Sequence, residues 1–298
     1  MTRNTVLRLL VFFLGIPLLS LSAVAFPQQG LPFFGLIVIV ASAIAAYEAA
    51  FFFPPQTRDY PGKEVVIPAL GAVLPAVGYL SLHLSVPRFG PSMTPGALLL
   101  MTMTVMITII MAVQVLKRRE REIFEIINVV STHIFLLVYP GLFTWHAIRI
   151  LGLSSPSVMV IVFVLAVYLN DSMAWLVGRL LGPLTRKAGA PPPVAVSPNK
   201  SIAGFIGGFV TSPAVLVVAS LLYPSLFPGG IFRSVVFGAI VGAAGIMGDL
   251  VESAFKRAAT IKDSGQIIPG RGGLLDSIDS PLFAAPFFYY GYVLIFGF

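Results

Sequence analysis

Four of the twelve carboxylates in this 298-residue sequence, Glu48, Asp171, Asp249 and Glu252, lie inside long apolar runs. A charge in mid-span costs roughly 2.5–3.5 kcal/mol on insertion scales, so an acid kept there is a candidate for chemistry. Asp249, Glu252, Ser253 and Lys256 follow at spacings of three and four, which puts them on one helical face. Glu252 and Lys256 can pair along that helix. Asp249 has no basic residue four positions away on either side, so its expected partner is a metal or a basic group from another span. Further on come Lys262-Asp263, then Pro269-Gly270-Arg271-Gly272-Gly273, then Asp276 and Asp279. Glycine turns let backbone N–H groups approach phosphate oxygens, and two aspartates three apart can face one hard cation. Asp279 and Ser280 could instead cap the last helix. Hard oxygen ligands, cations and glycine turns together suit magnesium and polyphosphate rather than zinc or haem. The sequence has no cysteine, which excludes disulfides and thiolate metal sites. Residue types alone fit a transferase, a kinase or a pyrophosphatase.

The elements that must hold these groups are membrane helices. Only 10% of the residues are charged and 57% are hydrophobic, far from the roughly one-quarter charge of a soluble domain. Runs of about 20 apolar residues without period-two alternation predict an all-α, polytopic membrane protein rather than a barrel. Nine spans are expected, at about Thr5–Phe26, Leu31–Phe53, Val65–Val86, Ala97–Leu116, Ile123–Phe143, Val158–Leu180, Ile202–Leu222, Ile231–Phe255 and Pro281–Phe298. The first follows Arg3 and Arg8, but its run of about 18 residues is too long for the core of a secretory signal, so it is read as a retained span. No linker separates domains. One membrane domain is expected, with N-terminal spans over about 1–150 and the chemistry-bearing spans over about 156–298.

Sixteen of the nineteen Lys and Arg residues fall in alternate breaks, leaving Arg88, Arg149 and Arg233 in the others. That bias places the N-terminus in the cytoplasm and the C-terminus outside. Asp171 precedes Arg179 by eight residues and Asp249 precedes Lys256 by seven, so both acids are expected about 10–12 Å below the cytoplasmic helix ends. A shared polar cavity opening inward follows. Glu48 lies six residues before Pro54; a snorkelling interface position is open to it, its side is left unassigned, and it is not counted in the site. His133 reads as a packing residue. Gly238, Gly242 and Gly245 read as points of close helix approach, within the chain or at a dimer interface. The Lys117–Arg121 cluster reads as a topology determinant at anionic head groups. The net charge of +7 sits in short breaks between spans, which favours anionic lipid or nucleotide over nucleic acid.

The stretch from Ser253 through Lys256-Arg257, Lys262-Asp263-Ser264-Gly265, Pro269-Gly270, Gly272-Gly273 and Asp276 to Ile278-Asp279 closely resembles the C-terminal motif of phosphatidate cytidylyltransferases, also called CDP-diacylglycerol synthases. Asn170-Asp171 with Ala174 and Gly178-Arg179 resembles that family's aspartate-bearing span. Ser197-Pro198-Asn199-Lys200-Ser201, followed by Gly204, Gly207 and Gly208, resembles its serine-proline-lysine loop. The resemblance covers about Asn170 to Asp279. Departures fall at Arg271, usually histidine in the family, at Ser277, usually arginine, and near Ala203, usually glutamate. Arg271 on the same glycine-rich loop is one source for the charge missing at 277.

What the resemblance implies is a nucleotidyltransferase of phospholipid biosynthesis. It would join CTP and phosphatidic acid into CDP-diacylglycerol and pyrophosphate, with Mg2+ and room for a second cation. The site would face the cytoplasm from the inner membrane. Asp249, Asp276, Asp279 and Asp171 are the implied metal ligands. Lys256, Arg257, Lys262 and Lys200 would hold phosphates, with Ser197, Asp263, Gly272 and Gly273 shaping the substrate loops and Arg179 recruiting the lipid head group. A homodimer is implied as well. Two other functions fit part of the pattern: a CTP-dependent polyprenol or lipid kinase, and an ion- or proton-coupled transporter, which would spread acids across the membrane depth.

Overall fold

A bilayer offers no water to peptide groups, so apolar runs of this length close their hydrogen bonds within helices. The computed structural model describes residues 15, 17–24, 31–83, 94–117, 120–185, 192–270 and 272–297, without the side chains of 120, 121 and 185. Eight long helices follow one another there: α1 (Pro32–Ala49), α2 (Lys63–His83), α3 (Pro95–Gln114), α4 (Ile126–Ile150), α5 (Pro156–Thr185), α6 (Ile202–Leu222), α7 (Gly230–Ala258) and α8 (Leu275–Phe296). Among the described residues, pairing of the strand type is confined to an isolated bridge between Ile268 and Gly272. The first seven helices, α1 with its 3-10 extension to Phe52, are long and apolar enough to cross a membrane. The chain is a multi-pass membrane protein.

Seven candidate spans stand among the described residues, where nine are expected over the full sequence. The expected first span lies largely outside the described residues, of which 17–24 are helical. The expected ninth is the helix α8, which carries Asp276, Asp279, two internal prolines and three tyrosines that lower its mean hydropathy. Helix ends also shift: α5 continues to Thr185, five residues past the expected end at Leu180. The Lys117–Arg121 cluster, Arg88 and Arg271 fall wholly or partly outside the described residues.

α4 is interrupted by a π-helical stretch, Leu137–Leu142, around Pro140. Proline has no N–H to continue the ladder, and one wide turn absorbs the mismatch. Besides the Phe143 N–H, the Pro140 carbonyl accepts from Thr144 Oγ1 at 2.6 Å and Ser42 Oγ at 3.2 Å, which ties the wide turn to α1.

Small residues set the close approaches. A Cβ at Gly238 would collide with the Pro213 backbone of α6, and one at Gly242 would lie 2.9 Å from Ser212 Oγ. These glycines therefore serve α6–α7 packing within the chain. Gly204 packs equally tightly on the Ala174 carbonyl of α5, and Gly248 on the Asp279 carbonyl of α8. Helices α5 to α8 thus form one tight group, cored by Phe163, Phe237, Phe288 and Tyr292. A second core, with Leu74, Leu136, Trp145 and Leu275, joins α2, α4 and the start of α8.

Candidate active site

The intramembrane acids gather with the glycine-rich loop at one end of this bundle. Asp249 on α7 pairs with Lys200, which stands just before α6. That is the basic partner from another segment which the spacing around Asp249 calls for. Lys200 is positioned by a tight turn in which its own N–H reaches the Ser197 carbonyl at 3.2 Å. Ser201 then caps α6, its Oγ accepting from Gly204 N at 3.1 Å. A cavity of about 440 Å³ opens here, lined by Asp171, Arg179, Asn199, Lys200 and Asp249 among others. The guanidinium of Arg179 lies 5.5 Å from the Trp175 ring at the exposed edge.

Two turns beyond Asp249, Lys256 makes the expected pair with Glu252 and a second one with Asp276 Oδ1, at 2.5 Å. The Glu252 side chain is fully buried, and those of Asp276 and Lys256 are nearly so. Asp276 is also the hub of the loop. Its Oδ2 accepts from Ser264 N at 2.8 Å, Ser264 Oγ at 2.9 Å and Gly273 N at 2.7 Å. Gly272, at φ +113°, makes this possible, since a Cβ there would lie 2.6 Å from the same oxygen. Ile268 and Gly272 exchange backbone hydrogen bonds of 2.8 and 3.1 Å, which closes the tip. Asp276 thus organises the loop with four donors, in addition to any cation it contacts.

Asp279 lies in the second turn of α8, whose N-cap is Leu274, so the capping role open to it and Ser280 is not the one it plays. It is 7% exposed, its Oδ1 accepts from Ser280 N at 2.6 Å, and Asp249, Glu252 and Asp171 lie near enough to act on its carboxyl electrostatically. Ser280 Oγ donates to Asp171 Oδ1 at 3.1 Å, linking α8 to α5. Arg257, Lys262 and Asp263 are exposed, on the end of α7 and the loop that follows. Arg257 reaches back to the Val196 carbonyl at 3.5 Å, joining the two loops. Ser277 is buried, and its hydroxyl has no hydrogen-bond partner among the described residues.

Glu48 is the residue that sequence reasoning left out. It is 3% exposed and faces the loop rather than the interface. Its Oε1 accepts from Leu274 N at 3.0 Å, and its Oε2 from Leu275 N at 2.7 Å and Ser264 Oγ at 3.3 Å. A Cβ at Gly273 would lie 2.5 Å from Oε2, so that glycine makes room for Glu48. Strict alternation of spans from a cytoplasmic N-terminus was the available signal, because it puts the C-terminal end of α1 on the side of the loop.

Magnesium commonly binds through one or two carboxylates and completes its shell with substrate phosphates and water. Among the described residues no three His, Asp or Glu side chains form a metal cage. Both carboxylate oxygens of Glu252 are buried; Oε2 is paired with Lys256, and Oε1 has no hydrogen-bond donor among the described residues. Hard oxygen donors, crowded beside two lysines, fit a cation that arrives with its phosphates.

Carboxylates paired with lysines beneath a glycine-rich loop form a charged cluster at one end of an apolar helix bundle. The sequence matches the cytidylyltransferase family over residues 6–295, and the chain belongs to that family. It is 36% identical over 150 residues to the Uncharacterized protein YnbB of Escherichia coli (strain K12), covering 49% of this chain and 47% of that one. It is 33% identical over 157 residues to a phosphatidate cytidylyltransferase of Aquifex aeolicus (strain VF5), covering 52% and 54%. A phosphatidate cytidylyltransferase of Staphylococcus haemolyticus (strain JCSC1435) is 43% identical over 122 residues, covering 41% and 44%. The chain spans about half the length of the curated relatives it matches.

Proposed function

We propose that this protein is a phosphatidate cytidylyltransferase, converting CTP and phosphatidic acid to CDP-diacylglycerol and pyrophosphate. The observation that carries the reading is the pairing of Lys200 with Asp249 and of Lys256 with Glu252 and Asp276, at one end of an apolar bundle. Both reactants are anions, so the barrier contains their mutual repulsion, and fixed positive charge lowers it. A phosphate oxygen of the lipid forms a bond to the α-phosphorus of CTP as the bond to the bridging oxygen of pyrophosphate breaks. Lys200 and Lys256 are held ready by carboxylates and exchange them for phosphate oxygens when substrates enter. Arg179 meets the lipid head group at the exposed edge of the cavity, and Arg257 and Lys262 hold the outgoing pyrophosphate near the loop. Ser197 fixes the Lys200 turn, while Gly272 and Gly273 let the loop close over Asp276 and Asp263 flanks its rim.

Asp249, Asp279 and Asp171, with Asp276 sharing its Lys256 side, would hold Mg2+, which supplies positive charge to the phosphates when bound. The loop charges support a cytoplasmic N-terminus, nine spans in the full topology and a site open to the cytoplasm from the inner membrane, where CTP is found. A homodimer belongs to the same reading. Purified protein incubated with CTP, phosphatidic acid and magnesium should release a CDP-lipid and pyrophosphate. A phosphorylated lipid with free CDP would assign a kinase instead, and ion flux without turnover a transporter.

A further inference from the structure

Asn170 precedes Asp171 in the sequence and has no part in the reaction scheme, yet it is only 1% exposed. It stands midway along α5, where a polar side chain at membrane depth takes its partners from neighbouring helices. Its Nδ2 donates to Ser212 Oγ of α6 at 3.0 Å and to the Gly242 carbonyl of α7 at 3.2 Å. Ser212 Oγ donates its own proton to the Ala166 carbonyl at 2.8 Å, one turn back on α5. The hydroxyl therefore faces the amide as an acceptor, and this fixes which way the amide points.

Two glycines make room for this node. A Cβ at Gly242 would lie 3.1 Å from Asn170 Nδ2, and one at Gly208 would lie 2.6 Å from Oδ1. Oδ1 is buried with no hydrogen-bond partner among the described residues. A side chain serving only to fill this space would be apolar and would leave no acceptor unpaired. What the amide adds is a direct tie between the two helices that bring acids to the cavity of about 440 Å³. Asp171, the next residue on α5 and about 100° further round that helix, lines the cavity. Asp249 lines it as well, on α7 and two turns beyond Gly242. From α8, Ser280 Oγ donates to the Asp171 carboxylate at 3.1 Å.

We infer that Asn170 is a positioning residue: its amide fixes the turn of α5 against α6 and α7, and so holds the Asp171 carboxylate at the reach from Asp249 that one cation needs. The inference rests on the proposed reaction, in which both acids hold the metal, and adds the residue that sets their spacing. Asn170 acts through Asp171, so its contribution exists only while that carboxylate is present.

The test uses Mn2+ as the probe, titrated into purified full-length protein without CTP or lipid and followed by the EPR signal of the free ion. Asn170→Ala should weaken Mn2+ binding about tenfold, the lower end of what groups behind the ligands contribute to metal affinity. Asp171→Asn should weaken it too, and the double variant should bind no more weakly than Asp171→Asn alone. Effects that multiply, or an Asn170→Ala protein with a lower Tm and unchanged Mn2+ affinity, would make the amide a packing element and overturn the inference. Where Asn170→Ala does not insert, Ser212→Ala takes its place in the same cycle: it removes one acceptor of the amide, and binding about threefold weaker is expected, again only while Asp171 is intact. Unsubstituted protein that binds no Mn2+ would take the metal from Asp171 and the inference with it. Unsubstituted protein that binds Mn2+ yet makes no CDP-lipid from CTP and phosphatidic acid would refute the reaction alone, and the Mn2+ cycle would still decide the role of Asn170.

Discussion

Replacing Glu48 with glutamine separates positioning from chemistry, because Glu48 touches the loop of the site and none of its lysines. The carboxylate accepts from the backbone N–H groups of Leu274 and Leu275 and from the Ser264 hydroxyl, across more than 200 residues of sequence. Glutamine keeps one acceptor oxygen and turns an NH2 toward a buried N–H. A hydrogen bond to a charged acceptor contributes about 1.5–3 kcal/mol, and an orphaned buried donor costs about 1–3 kcal/mol. Losing one such bond and part of a second therefore releases the loop by about 3 kcal/mol. The same Ser264, with Gly273, fixes Asp276, which in turn fixes Lys256. If the full amount reaches the transition state, the rate falls about a hundredfold, at 1.4 kcal/mol per decade. The assay is CDP-lipid formation by the purified Glu48→Gln protein, read beside hydrogen exchange at the amides of residues 264–275. Lower turnover with faster exchange in that segment is the expected result. Unchanged exchange with unchanged turnover would refute the role given to Glu48.

Other substitutions probe the rest of the site. Asp249→Asn removes a charge with little change of shape; it should insert normally and lose at least about a hundredfold in turnover, as removal of a charge-stabilising group commonly does. Activity close to that of the parent in detergent would remove Asp249 from the chemistry. Asp276→Ala leaves Lys256 with Glu252 alone and the donors at Ser264 and Gly273 without their acceptor, so the magnesium requirement should rise and thermal stability fall together; a magnesium titration and a melting curve on one sample read both. Gly238→Leu forces a side chain into the Pro213 backbone and should destabilise the α6–α7 contact by about 1–3 kcal/mol, seen as a lower Tm without a change in KM for CTP.

Much of this arrangement was legible in the sequence, for reasons particular to each residue. Lipid makes an isolated charge expensive, so Asp171, Asp249 and Glu252 stand out without any knowledge of the fold. Helical periodicity pairs Glu252 with Lys256, and the lack of a basic neighbour for Asp249 points to a partner elsewhere, which Lys200 provides. Periodicity cannot reach across a loop. Nothing local indicates that Lys256 also grips Asp276, or that Asp276 gathers Ser264 and Gly273, because those contacts depend on how residues 259–274 turn. Glu48 was hidden by a different cause: its side of the membrane hangs on the parity of the span count, and an acid near a span end also suits an interface. Span ends were blurred where a helix outruns its apolar stretch, as α5 does through Arg179 to Thr185. The π-helical turn at Tyr139 leaves no periodic trace beyond Pro140 itself.

The most direct measurement follows two labels through one reaction, with CTP labelled at the α-phosphate in one sample and at the γ-phosphate in another. If lysines and carboxylates at this site bring the lipid phosphate onto the α-phosphorus, the α-label enters the lipid and the γ-label leaves in pyrophosphate. A γ-label recovered in the lipid, or no label in the lipid at all, would contradict the account.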